Sequence, residues 1–444
     1  MVKLRDYQQA LFDKTTAAFK RGDRKVLVVA PCGAGKSYLF AKMAERSLGE
    51  TLILTHRQEL LVQHAELMAE NGIKNYRIAM IMTEANRLGQ YPRPNLIIAD
   101  EAHLSRSRSW QKVIEFYNTF TVGLTATPCR LDGKPLGDIY DSMVEEISVK
   151  ELISRKCLAP FKYYAPIEID TSEVSVRAGD YALNQLEKLM MEKAVYGDVI
   201  KNWKEIAGGE KTIAYCVTVK HAEQVAEDFR AAGVSAEAIS GETPPKKRAE
   251  IMRNFRSGKV TMLCNVGIIS EGVSINDVTC CLLLRATESI ALGIQQMMRC
   301  MRYLPGKQAK IIDCVGNYTR IGLPDEDRDW SLEKSVKKRK LTDSAGNFPV
   351  RTCPACYMAF RTAAVCPYCG EEYPLDPREI KAHEEVGLKQ IQAEEVENLK
   401  KLKKLQRQEV GRARSLEELI EVGKSRGYKN PTYWAMQVMR GRKR

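Results

Sequence analysis

Eight residues, APCGAGKS at 30–37, have the make-up of a phosphate cradle. Gly33 and Gly35, with Ala34 between them, let the backbone turn its N–H groups inward around phosphate oxygens. Lys36 adds a point charge for the β- and γ-phosphates of a nucleotide, and Ser37 offers a hydroxyl to Mg2+. A second stretch, IIADEAH at 97–103, places two acids side by side. Asp100 suits Mg2+, and Glu101 suits the orientation and deprotonation of an attacking water. The competing reading is an exposed acidic turn. Further along, CPAC at 353–356 and CPYCG at 366–370 bring together Cys353, Cys356, Cys366 and Cys369. Four thiolates at this spacing can close a tetrahedron around Zn2+, with a disulfide pair or free thiols as the alternative. Four protein ligands leave no open position, so the expected role of that metal is structural.

These residues need a scaffold that presents them on one edge. KVLVVA (25–30) reads as a strand running into the glycine loop, and a helix is expected from Lys36 to about Leu48. TLILTH (51–56), NLIIAD (95–100) and TVGLTAT (121–127) read as three more buried strands separated by helical patterns. Such alternation predicts a parallel sheet covered on both faces, whose strands deliver their C-terminal ends to a common edge. The pattern lapses near 160 and restarts with KTIAYCV (211–217), an amphipathic helix ending at Gly233, and the strands VSAEAIS, VTMLCNV, VTCCLLLR and AKIIDCV. The expected organisation is a first α/β domain at 1–160, a linker at 161–195, a second α/β domain at 196–320, a charged linker at 321–350, a zinc ribbon at 351–375 and a basic helical tail at 376–444. In the tail a charged helix is expected over 376–413. SLEELIEVGKSRGY carries a capping box, Ser415 with Glu418, and Pro431 can open a last helix.

Composition narrows the partners. The 444 residues are 44% hydrophobic and 28% charged, and the net charge is +13. Residues 401–444 hold thirteen Lys and Arg against four Glu, a local excess of +9 that suits a polyanion, or simply a solvated helical tail. No apolar run reaches the ~18 residues of a membrane span, so no membrane partner is expected. The opening MVKLRDYQQ lacks the apolar stretch of a signal peptide, which makes the cytoplasm the expected location. Cys216, Cys264, Cys280, Cys281 and Cys314 lie in apolar, strand-like runs, as small buried hydrophobes do in a reducing compartment.

DEAH after APCGAGKS resembles the superfamily 2 helicases, and further pieces follow in that family's order. LRDYQ (4–8) resembles the motif whose glutamine, here Gln8, reads the adenine edge, with Arg5 beside it. LTHRQEL (54–60) resembles a strand-tracking motif, and TATP (125–128) one that links hydrolysis to movement. CNVGIISEGVSI (264–275) and QQMMRCMR (295–302) resemble the two signature motifs of a second RecA-like domain. The pieces VTVKHAEQVAEDF, ISGET, LLLRATESIALGIQQMMRCMRYLPGK and IIDCVGN are similar to the RadD-like group of bacterial and phage DNA helicases, which implies repair or recombination. The sequence departs from the family at Met298 and Cys300, where a glycine and a small residue flank the first arginine, and at Ser274, where many relatives carry Asp.

The resemblance implies two RecA-like domains closing on ATP. Arg299 and Arg302 would reach across from the second domain, and Gln295 would lie near the γ-phosphate or the attacking water. Thr125, Thr127 and His103 would couple hydrolysis to motion. His56, Arg57, Thr218, Ser240, Gly241 and Asn265 would track a nucleic-acid backbone, each with a local cap or turn role as its bland alternative. The implied protein is a DNA-dependent ATPase, a helicase or translocase acting on single-stranded or branched DNA, in a bacterial or phage-infected cell, with a protein partner docking through ribbon or tail. Two other classes stay open: an RNA helicase, and an ATP-gated nucleic-acid clamp with weak hydrolysis.

Overall fold

The computed structural model describes residues 2–129, 135–165, 176, 177, 180, 181, 195–267, 275–333, 350–352, 359–361, 389, 390, 413, 415–425 and 431–442. The chain divides into two compact units, Met1–Arg339 with Asp376–Ile391, and Lys340–Leu375 with Gln392–Arg444. Among the described residues no helix is long and apolar enough to cross a membrane.

Among the described residues the first unit holds two large sheets and one two-stranded sheet. The first sheet has strands β1 (Lys25–Val29), β2 (Thr51–Thr55), β3 (Tyr76–Met80), β4 (Leu96–Asp100), β5 (Phe120–Thr125) and β6 (Ser142–Glu145), in the order β3-β2-β4-β5-β1-β6. Every pairing is parallel. Val26 to Val29 and Leu52 to Leu54 are essentially excluded from solvent, which is why these runs read as continuous rather than alternating hydrophobics. Helices α1 (Asp6–Arg21), α2 (Lys36–Arg46), α3 (Gln58–Glu70), α4 (Ile81–Asn86), α5 (Arg108–Tyr117) and α6 (Val149–Ser154) accompany them. On one face Trp110, Val113 and Tyr117 of α5 pack on Leu52, Leu54, Ile97 and Ala99. Register decides where the chemistry goes. Val29 pairs with Thr125, and Asp100 with Leu124, so β1, β4 and β5 end level and their following loops leave the sheet side by side.

The second sheet contains β7 (Phe161–Ala165), β10 (Thr212–Tyr215), β11 (Ala236–Ile239), β12 (Met262–Asn265), β13 (Cys280–Leu283), β14 (Ala309–Asp313) and β17 (Lys389–Gln390), in the order β11-β12-β10-β13-β14-β7-β17. Two short strands, β8 (Val176–Arg177) and β9 (Asp180–Tyr181), pair with each other only. Residues 161–165, expected to begin a linker, instead form a parallel strand against β14. A five-residue run carries little sequence signal; its strand character comes from a partner far along the chain. Lys389 and Gln390 fall inside the stretch expected as a charged helix, yet they lie antiparallel to β7. An edge strand offers unpaired N–H and C=O groups, and any segment within reach can take them. The rest of 376–413, apart from Ala413, lies outside the described residues.

The described part of the charged stretch after 320, residues 321–333, has two anchors. Arg328 donates to the carbonyls of Ile321 (3.0 Å) and Leu323 (2.8 Å). Trp330 and Leu332 then pack against Leu136, Ile139 and Tyr140 of the first domain. Gly137 N–H donates to Leu332 O at 2.9 Å, and a Cβ at Gly137 would meet that oxygen at 2.5 Å, so a glycine is needed for the approach. The nine described cysteines are free thiols, and those in the strands are buried.

In the second unit β15 (Val350–Thr352) and β16 (Ala359–Arg361) pair antiparallel. The connection between them carries Cys353 and Cys356; these two and Cys366 and Cys369 lie outside the described residues. The helices Leu416–Ser425 and Pro431–Arg442 share a small core of Ala413, Leu419 and Ala435. Ser415 Oγ accepts the Glu418 amide at 3.1 Å, one half of the expected capping box.

Candidate active site

The loop after β1 is shaped by its glycines. Gly33 (φ +89°) and Gly35 (φ +76°) occupy left-handed conformations that side-chain-bearing residues avoid. Gly35 also caps α2, so the first amides of that helix open onto the loop. Ala30 N–H donates to Thr125 O at 2.9 Å, which fixes the loop's start beside β5. Lys36 Nζ rests 3.2 Å from Ala30 O. Gln8 is buried against the same loop: its Nε2 donates to Ala34 O (2.8 Å) and Gly35 O (3.3 Å), and its Oε1 accepts the Arg5 amide (2.9 Å). Tyr7 adds a third contact, from its hydroxyl to Ala34 O at 3.1 Å. A Cβ on Gly35 would meet Gln8 Nε2 at 2.5 Å, and one on Gly33 would meet Leu158 Cδ2 at 2.5 Å. Both glycines therefore serve close packing as well as backbone shape, and the cradle fits a triphosphate.

Asp100 ends β4 with 7% of its surface exposed. Its Oδ2 lies 3.0 Å from His64 Nε2, and its Oδ1 accepts the Glu101 amide at 3.0 Å. Burial alone would raise its pKa. The His64 hydrogen bond and charge, the Lys36 ammonium and the Glu101 amide outweigh that effect and hold Asp100 below the usual carboxylate range. An ionised carboxylate near Lys36, together with the Ser37 hydroxyl next along the chain from that lysine, offers oxygen donors of the kind Mg2+ takes. Glu101 stands at φ 52°, ψ 53°, a left-handed conformation unusual for a residue with a long side chain. His103 Nδ1 lies 3.5 Å from Glu101 Oε2 and 3.4 Å from Thr125 Oγ1. Thr125 Oγ1 in turn donates to Thr127 O (2.9 Å) and accepts the Thr127 amide (3.1 Å). One chain of contacts thus joins the acid at the end of β4 to the turn after β5.

The second sheet brings the arginines. Gln295 and Gln296 lie on the helix Ile290–Met297, both nearly inaccessible, with Gln295 Nε2 and Gln296 Oε1 lacking a partner among the described residues. Met298 and Cys300, the departures noted in the sequence, are buried core residues. Arg302 is linked to the phosphate loop through the chain at Leu158. Its backbone forms an antiparallel bridge with Leu158, and Ala159 N–H donates to Met301 O at 2.8 Å. Leu158 is the residue whose side chain abuts Gly33. Burial, then the positive charge of Arg299, pulls Arg302 down to about 10, while Cys32 of the phosphate loop is near enough to act the other way. Two largely buried guanidinium groups close enough to disfavour each other's charge make a place that an anion stabilises.

Residues 193–304 match the helicase conserved C-terminal domain, and residues 1–92 and 82–130 match the family described as type III restriction enzyme, res subunit. A 51.5 kDa protein of a Lactococcus phage is 35% identical over 379 residues, which are 83% of this chain and 83% of that protein. The chain belongs to the superfamily 2 helicases. A Saccharomyces cerevisiae protein named for an ATP-dependent helicase, IRC3, is 28% identical to this helicase over 70% of its chain, though that span is about half (51%) of the yeast protein. The DNA-bound structure of the type ISP restriction-modification enzyme LlaBIII shares the fold, with a TM-score of 0.52 and 18% identity over 70% of this chain and 27% of the other. The helicase is an ATP-dependent enzyme with two parallel-sheet domains of the RecA-like kind, and ATP with Mg2+ are its family's cofactors.

The remaining candidates in the helicase lie at the C-terminal ends of neighbouring strands. Thr218 follows β10, Ser240 and Gly241 follow β11, and Asn265 ends β12, with Tyr215 and Ile239 both in register with Asn265. Each also has local work. Thr218 caps a helix by accepting the His221 amide, Ser240 Oγ accepts the Glu242 amide, Gly241 O accepts from Arg248, and Asn265 O accepts the Cys216 amide. His56 and Arg57 follow β2; Arg57 donates to His56 Nε2 (3.1 Å) and, across to the second domain, to Gly267 O (3.0 Å). Ser274 lies outside the described residues. The sequence reading missed His64, Tyr7 and Leu158. Tyr7 stood inside a quoted motif next to Gln8, whereas His64 and Leu158 carry no local signal, because their partners lie elsewhere in the chain.

Proposed function

We propose that this helicase is a DNA-dependent ATPase of the DEAH type and the RadD-like group, a translocase or strand-separating motor serving DNA repair, recombination or replication. The observation that supports it most is the position of Leu158, whose backbone bridges to Arg302 and whose side chain abuts Gly33 in the loop that carries Lys36. In this reading Arg5 and Gln8 border the adenine, and Gly33, Ala34, Gly35 and Lys36 hold the phosphates. Ser37 and Asp100 hold Mg2+, which when bound neutralises phosphate charge. Glu101 orients the attacking water and takes its proton, Gln295 steadies that water or the γ-phosphate, and Arg299 and Arg302 offset the charge that spreads over the γ-oxygens. Since the two halves of the site come from different domains, hydrolysis requires closure, and His103, Thr125 and Thr127 pass its consequence to the grip on the strand.

Backbone contacts through His56, Arg57, Thr218, Ser240, Gly241 and Asn265 read no sequence. DNA rather than RNA is favoured by the match of the first domain to a restriction-enzyme subunit family. A zinc ribbon on Cys353, Cys356, Cys366 and Cys369 is favoured by their spacing and by the strand pair flanking the first knuckle. Ribbon or basic tail would be the place for a protein partner.

Turnover on single-stranded, duplex, forked and four-way DNA and on RNA of matched length tests the reading. DNA is expected to stimulate hydrolysis, more than RNA does, and Lys36→Ala to abolish it. Equal or greater stimulation by RNA would make this an RNA helicase. Wild-type turnover no faster than that of Lys36→Ala with saturating DNA would make it a clamp.

A further inference from the structure

We infer that His64 is a positioning residue for the cation site, holding the Asp100 carboxylate in one orientation so that its remaining lone pairs stay directed at Mg2+. This deepens, and rests on, the reading of Asp100 as a Mg2+ holder. His64 lies on α3, outside every motif recognised in the sequence, and is 2% exposed. A carboxylate only accepts, so the 3.0 Å contact is a donation from His64 Nε2–H to Asp100 Oδ2. The imidazole is itself fixed. The Phe40 ring meets it edge to face at a centroid distance of 4.6 Å and an angle of 82°. Phe40 is fully buried in α2, three residues beyond Ser37.

The second oxygen of Asp100 is engaged by the Glu101 amide, so rotation of the carboxylate would break both bonds together. Each oxygen gives one lone pair to the protein and keeps another. The helix that follows the phosphate loop therefore backs the imidazole, and the helix after β2 and the end of β4 meet on the carboxylate. A histidine that orients a metal-binding carboxylate belongs to the class of supporting contacts whose loss weakens metal affinity by roughly 10–100-fold.

The test measures Mn2+ binding, as a spectroscopic stand-in for Mg2+, by electron paramagnetic resonance. It uses the full chain with a non-hydrolysable ATP analogue. His64→Met keeps bulk and removes the donor, His64→Gln keeps a donor, and Asp100→Asn is the control for the underlying reading. His64→Met is expected to weaken Mn2+ binding about tenfold or more, and His64→Gln to stay within about threefold of wild type. Affinity for the analogue in EDTA should be that of wild type in both His64 variants.

If Asp100→Asn weakens Mn2+ binding and His64→Met does not, the inference is wrong and the Mg2+ role of Asp100 stands. If Asp100→Asn also leaves binding unchanged, the reading beneath it fails. A glutamine variant as weak as the methionine one, or a loss of analogue affinity in EDTA, would reduce His64 to packing. Should His64→Met not fold, His64→Asn, polar but too short to reach Oδ2, takes its place with the same expectation.

Discussion

Arg302 shows what the site costs and what it supplies. Burial holds its pKa at about 10, below the ordinary value, so the folded protein carries this charge unfavourably at neutral pH. The cost fades only as pH rises past about 10 toward the unfolded value, since only then does the folded form shed the proton first. Arg302→Met, which keeps the volume without the charge, is therefore expected to raise the melting temperature of the nucleotide-free protein. The same substitution should cut turnover by roughly 10³-fold or more, the scale of a lost arginine finger. Arg302→Lys should not restore it, because an ammonium is a point charge without the planar fork that holds two oxygens in one fixed geometry. Thermal melts beside phosphate-release rates check both halves. A variant that melts lower and turns over normally would remove Arg302 from the site.

At the scale of elements, the crossing between the two sheets is part of the site. Leu158 is fully buried, touches the position of Gly33 and pairs its backbone with Arg302. Three residues later the chain enters β7, whose pairing with β14 seats the crossing on the second sheet. The loop and the arginine thus share one rigid neighbour. Leu158→Ala should destabilise the protein by about 2–5 kcal/mol through the cavity it leaves. Its more telling effect should be a fall in kcat larger than any change in nucleotide affinity, because the loop keeps its shape and loses its registration with Arg302. Denaturant melts paired with single-turnover and equilibrium nucleotide binding would separate these; equal losses in kcat and affinity would place Leu158 in loop support alone.

For the whole molecule, charge is the dominant feature. A net +13, with +9 of it beyond residue 400, predicts nucleic-acid binding that weakens steeply with salt. Replacing Arg440, Arg442, Lys443 and Arg444 by Gln should flatten the plot of log affinity against log salt by about 0.7 per cation engaged with a single strand. Basal ATP hydrolysis should stay unchanged. An unaltered slope would return the tail to a solvated helical hairpin. The first unit also closes on itself a second time, where Trp330 and Leu332 return from the second sheet to the first domain. Opening of the two domains must work against both crossings.

Much of this was legible in the amino-acid order because it is local. A glycine at positive φ, a lysine opening a helix, paired acids ending a strand and a serine capping a helix each act within a few residues of themselves. Strand ends in a parallel sheet share an edge, so Lys36, Asp100 and Thr125 could be placed together before any distance was known. What tertiary structure alone decided is which distant residue fills each remaining gap. His64 meets Asp100 across 36 positions, Leu158 lies between Gly33 and Arg302, and 161–165 becomes a strand only because β14 presents an edge. Such contacts depend on which element packs against which, and a hydrophobic period marks the buried face without naming the residue it will meet.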